Sequence, residues 1–215
     1  WSGQGIEQNG VPGYKDEVHE YGLGFSGFSR QAAVCDYDGD GDLDMFLLNH
    51  SVHQNGTFAP RQTVLGTYNP LSGDKIYRNN GFSPSTGRGQ GEAPFTDVTK
   101  ETGINSSAIG YGLGIAVSDI NLDGSPDIYI GNDFHENDYL YINQKNGTFK
   151  EEGEQRLMHT SQLSMGVDVA DINNDAYPEI ISMDMLPSDP YILKRALGVV
   201  SFDIFIFKFI RVSFT

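Results

Sequence analysis

The chain has 215 residues, 29 Asp and Glu against 14 Lys and Arg, a net charge of −15, 26 Gly, 9 Pro and one cysteine. A body this acidic repels phosphate backbones and anionic lipid headgroups, so no nucleic acid and no membrane insertion are expected, and cations are the natural partners. Cys35 has no partner for an internal disulfide, no CxxC pair is present to hold zinc, and frequent Gly and Pro favour turns over long helices, which makes an all-β chain the expected fold class.

Residues 1–20 read as a partial strand or linker; the chain starts at Trp1 without an initiator Met or a leader's basic and apolar regions and is read as a fragment. The first strong signal is a nonapeptide at 36–44, with Asp36, Asp38, Asp40 and Asp44 at positions 1, 3, 5 and 9, Gly41 at position 6 and Asp42 at position 7. Short β-prone runs flank it, Ala33–Cys35 before and Met45–Leu48 after. Residues 49–75 follow, rich in Gly, Ser, Pro and Asn, and contain His50 and His53, which read as solvated loop residues in an insertion. Ile76–Asn79 then reads as a strand, residues 80–94 as a second insertion and Phe95–Thr99 as a further strand.

The pattern recurs at 119–127, with Asp119, Asn121, Asp123 and Asp127 at the oxygen positions, Gly124 at position 6 and Ser125 at position 7. It recurs more loosely at 171–179, with Asp171, Asn173, Asp175 and Glu179, where Ala176 replaces the glycine and Tyr177 holds position 7. Phe28, Tyr111 and Leu163 each precede a loop by eight positions, and Gly114 and Gly166 precede theirs by five. Leu140–Asn143 followed by Gly147–Phe149 repeats the Ile76–Asn79 and Phe95–Thr99 pair, so a module has about four short strands. Between the second and third loops lies Asp133-Phe134-His135-Glu136-Asn137-Asp138; Asp133, His135, Glu136 and Asp138 are the candidate ligand-contacting surface, with an ordinary solvated loop as the bland alternative. Residues 184–190 read as a Pro-defined loop and 191–197 as a short helix, while 199–215 form an apolar, β-prone tail too short and too charged to span a membrane.

A hard cation such as calcium takes six to eight oxygens from a loop that curls around it. Alternate residues of a tight loop point inward, so positions 1, 3, 5 and 9 offer side-chain oxygens and position 7 a main-chain carbonyl, with a positive φ at position 6. An EF-hand would close with Glu at position 12, where Leu47, Ile130 and Ser182 stand, so that reading fails. The alternative is that these are ordinary Asp/Gly hairpin turns. Recurrence with the full oxygen pattern favours Ca²⁺ in the first two loops and, less completely, in the third.

Four-stranded modules at this spacing predict a β-propeller segment of about three to four blades with Asp-rich calcium loops, over residues 21–198. Closed propellers have four to eight blades, so closure on its own is not expected. Tyr111-Gly112-Leu113-Gly114, the Asp-rich loop, the strand after it, and Leu140–Asn143 with Gly147–Phe149 resemble the FG-GAP or VCBS repeat proteins, and within them the bacterial relatives of cartilage acidic protein that carry an ASPIC/UnbV domain. That resemblance implies a propeller like the integrin α-subunit head, calcium in the hairpin loops, a secreted or cell-surface location, and an extracellular protein or carbohydrate ligand, with the rest of the propeller in the full-length chain. No HExxH, GxSxG or P-loop pattern is present, so no catalytic residue is expected. A polysaccharide-lyase-like enzyme on the same architecture and a purely structural spacer are the rival readings.

Overall fold

The computed structural model describes residues 2–8, 11–51, 66–81, 93–133, 136–161 and 163–184, with side chains from residue 16 onward. It is almost entirely antiparallel β. A hairpin of β1 (Ser2–Gln8) and β2 (Val11–Lys15) comes first, where a partial strand or linker was expected. Two four-stranded meanders follow. The first runs β3 (Ser29–Cys35), β4 (Asp44–Asn49), β5 (Lys75–Asn79) and β6 (Phe95–Asp97), the second β7 (Gly112–Ser118), β8 (Asp127–Asn132), β9 (Tyr139–Asn143) and β10 (Phe149–Glu151). β11 (Ser164–Ala170) and β12 (Glu179–Asp184) make a third, two-stranded sheet. Among the described residues helix is confined to the single turns α1 (Thr99–Thr102) and α2 (Gly153–Arg156).

The sheets stack as blades do. Strand β7 lies against both β3 and β11, so the opening strand of each sheet meets its counterparts, and the array is an open, propeller-like segment. The two-residue period of the strands divides the core accordingly. Ile115, Ile128, Ile130, Tyr139 and Tyr141 of the second sheet join Phe46, Leu48 and Ile76 of the first, whereas Tyr129, Leu140 and Ile142 join Ile180, Val167 and Val169 on the third-sheet side. Every residue of β8 and β9 is consequently buried, as expected for strands covered on both faces.

The Tyr111–Gly114 motif acquires a physical reason from this stacking. A Cβ on Gly112 would stand 2.3 Å from Leu48 Cδ1, and one on Gly114 2.8 Å from the Val167 backbone nitrogen. These two glycines let three sheets approach one another. The residues eight positions before the loops serve as the links: Tyr111 bridges to His50 and Leu163 to Asp133.

A second repeated device was not expected from the sequence. Strand β4 begins at Asp44 and ends at Asn49, and β5 follows Asp74 and ends at Asn79; in the next sheet Asp127, Asn132, Asp138 and Asn143 hold the same places. Each Asp accepts a main-chain N–H from the Asn of the other strand. Asn79 donates to Asp44 Oδ1 at 2.8 Å and Asn49 to Asp74 Oδ1 at 3.0 Å. Asn143 donates to Asp127 Oδ1 and Asn132 to Asp138 Oδ1, both at 2.8 Å. The Asn49 amide then donates to the Gly73 carbonyl and the Asn132 amide to that of Asn137. Two clasps in each of the four-stranded sheets satisfy main-chain groups where pairing ends, which a buried sheet requires.

Of the insertions expected at 49–75 and 80–94, residues 52–65 and 82–92 lie outside the described residues, as do His53, residues 185–190 of the loop expected at 184–190, the helix expected at 191–197 and the tail at 199–215.

Candidate metal centre

Each Asp-rich nonapeptide is the hairpin between the first two strands of its sheet, so the three loops lie at corresponding ends of three stacked blades. Their backbones follow one path. Position 4 has positive φ in all three (Gly39 80°, Leu122 60°, Asn174 60°), and so does position 6 (Gly41 92°, Gly124 89°, Ala176 68°). The expected strain at Ala176 is present; the turn at position 4, where Leu122 sits, had no sequence signal because leucine gives no hint of positive φ.

Position 1 organises the loop from within. Asp36 accepts from the main-chain N–H groups of Gly39 (2.8 Å), Asp40 (3.1 Å) and Gly41 (3.0 Å). Asp119 accepts from Asp123 and Gly124, and Asp171 from Asp175 and Ala176. Positions 3 and 5 close smaller turns: Asp38 and Asn121 take the N–H of the residue two further on, as do Asp40 with Asp42, Asp123 with Ser125 and Asp175 with Tyr177. In each turn the oxygens of positions 1 and 3 thereby converge on the main-chain N–H of position 5. In the first loop one carboxylate oxygen from each of Asp36, Asp38 and Asp40 lies within 4.8 Å of the others, an arrangement that could hold a metal ion.

Position 9 ties the loop to the sheet. Asp44 is 1% exposed and accepts from Tyr37 N as well as Asn79 N; Asp127 is fully buried and accepts from Ile120, Asn121 and Asn143. Glu179 accepts from Ile172 N and from the Asn173 amide. Burial nevertheless pushes Asp44 and Asp127 up to about 6 against these donors, and burial with the adjacent Asp40 raises Asp38. Hard oxygens, most of them anionic, held close together and partly withdrawn from water are a donor set of the kind a hard cation takes.

Position 2 seats the first two loops on the next blade. Tyr37 is buried, stacks on Phe149 at 5.7 Å and accepts the Asn143 amide at its carbonyl, and Ile120 is buried against the third sheet. Ile172, its equivalent in the third loop, is exposed. The second loop differs from the first in charge, with an amide at Asn121 and the Lys145 ammonium 3.4 Å from Asp123 Oδ1, where it also donates to the Asp123 carbonyl.

The acidic run after β8 does not form the exposed surface expected of it. Asp133, Glu136 and Asp138 are 5%, 2% and 2% exposed. Asp138 is an interior acceptor for Tyr129 Oη (2.6 Å), Asn132 N (2.8 Å) and Ser164 Oγ (3.3 Å), because the clasp draws it between the second and third sheets. His135 lies outside the described residues.

Comparison with known proteins agrees with this geometry over part of the chain. The search of curated proteins found no match. Residues 119–182, from the first aspartate of the second loop almost to the end of β12, match the FG-GAP-like repeat. A repeat of this kind points to a propeller-type binding module.

Proposed function

We propose that this chain is the blade-bearing part of a calcium-stabilised extracellular binding module, in which metal ions fix the hairpin ends of the blades and other surfaces engage a protein or carbohydrate ligand. The observation that carries the proposal is the Asp36–Asp38–Asp40 oxygen cluster, repeated in backbone path by the loops at 119–127 and 171–179. Asp36, Asp38, Asp40 and Asp44 would supply the first site with the Asp42 carbonyl. Asp119, Asn121, Asp123 and Asp127 with Ser125 would supply the second, and Asp171, Asn173, Asp175 and Glu179 with Tyr177 the third. The resemblance to ASPIC/UnbV-type relatives of cartilage acidic protein belongs to the same reading. So does the secreted or cell-surface location that such repeats suggest; no helix among the described residues is long and apolar enough to cross a membrane.

The metal would be structural. Three Ca²⁺ would offset about six of the eleven acidic charges concentrated in the three nonapeptides and cross-link strand ends in a chain with one cysteine. Calorimetric titration of metal-stripped protein with Ca²⁺ tests this. Saturable heat with at least two sites, reduced by one in Asp36→Asn, is expected; the absence of heat contradicts the proposal.

A further inference from the structure

Away from the loop hairpins, the first sheet borders a cleft of about 480 Å³ between the segment before β5, the end of β6 and α1. Tyr68, Lys75, Asp97, Thr99, Lys100 and Glu101 line it. Its floor is assembled in advance. Lys75 Nζ donates to Asp97 Oδ2 at 2.8 Å and lies 5.0 Å from the centroid of the Phe25 ring, with the lysine side chain only 14% exposed. Asp97 Oδ1 accepts from Thr99 N at 3.1 Å and Thr99 Oγ1 at 2.6 Å, and Thr99 Oγ1 accepts from Ile76 N at 3.1 Å. The ammonium and carboxylate are therefore fixed to the sheet through a closed set of bonds, which lowers the ordering cost of binding. At the edge stands Tyr68, 69% exposed, a large aromatic side chain that adds little to the core.

The lining selects a ligand class. Its two ammonium groups balance its two carboxylates, so the cleft favours neither anion nor cation, and the chain's charge of −15 further disfavours an anion. One of the three Lys75 N–H groups is donated to Asp97, and Asp97 Oδ2 accepts one bond of the two its lone pairs allow. Donor and acceptor stand side by side at the spacing of hydroxyls on adjacent ring carbons: one hydroxyl accepts from the ammonium while its neighbour donates to the carboxylate. An exposed tyrosine offers a flat, amphipathic surface to the C–H face of such a ring. We infer that this cleft is a subsite for an uncharged sugar ring, with Lys75 and Asp97 reading vicinal hydroxyls and Tyr68 stacking on the ring. The inference rests on the binding-module reading and gives it a location and a ligand class.

The test is a titration of the ¹⁵N-labelled chain in calcium with methyl glycosides of glucose, galactose, mannose and N-acetylglucosamine, with glucuronate and glucosamine as charged controls. At least one neutral glycoside is expected to shift resonances of residues 68–75 and 97–106, and Tyr68→Ala and Lys75→Met should each weaken it about tenfold. Because Tyr68 is exposed, its variant should melt as the parent does, which separates lost binding from lost folding. Silence of these resonances with every neutral sugar, an affinity unchanged in Tyr68→Ala, or a stronger response to a charged sugar would overturn the inference. Calcium-dependent melting without a sugar response removes this inference alone; a sugar response without calcium-dependent melting supports it and removes the structural-metal reading.

Discussion

The first and second loops share a backbone and differ in charge. Both turn through positive φ at positions 4 and 6 and hang from a buried aspartate at position 9. The first loop gathers three carboxylates at positions 1, 3 and 5. The second replaces one with Asn121 and sets Lys145 against Asp123. Backbone path is thus set by the turn residues and the position-9 anchor, while the local charge is set separately by what fills positions 3 and 5 and their surroundings. A loop can keep its shape and carry its own partial counter-charge.

The anchors should behave alike in both loops. Asp127→Ala leaves three main-chain N–H groups without their acceptor in the interior and should cost about 3 kcal/mol or more, and Asp44→Ala should cost nearly as much. Denaturant unfolding measures both; a cost below ~1 kcal/mol at either position would break the claim of a common scaffold. The clasps at the far end of the blades provide a control without calcium. Burial pushes Asp74 up to about 7 and Asp138 up to about 6. A carboxyl raised in the folded state keeps its proton there after the unfolded chain has lost it, so stability should fall as pH rises from about 4 to about 7 and then level off. Asp74→Asn should flatten part of that slope, by at most a few kcal/mol, with calcium saturating throughout.

Charge is where the loops should part. Asp38→Asn makes the first loop like the second and should weaken its calcium affinity about tenfold, or ~1.4 kcal/mol. Lys145→Met should strengthen the second loop a few-fold, the smallest of these effects because the pair is exposed. Site-resolved calcium titration reads both, and equal affinities in all variants would contradict the comparison.

The loops were legible because oxygen-bearing residues at positions 1, 3, 5 and 9 recur as a contiguous pattern, and the sheet architecture followed from the strands on either side. The clasps were equally regular, with four intervening residues from Asp44 to Asn49, Asp74 to Asn79, Asp127 to Asn132 and Asp138 to Asn143, but their partners meet only through β4–β5 and β8–β9 pairing. An insertion between β4 and β5 hides the repeat in the first blade. The acidic residues after β8 were misplaced for a related reason. A polar run usually marks solvent, whereas Asp138 is drawn inward by three donors that come from β8 and β11. The Lys75–Asp97 cleft gave no signal at all, since its members lie on separate strands with the second insertion between them.

Thermal melting of the metal-stripped chain with and without added Ca²⁺ addresses the central claim most directly. A ligand bound only by the folded state raises its stability by mass action, so calcium well above its dissociation constant should raise the Tm by several degrees, and excess EDTA should abolish the rise. Superimposable melts in calcium and in EDTA would contradict the account.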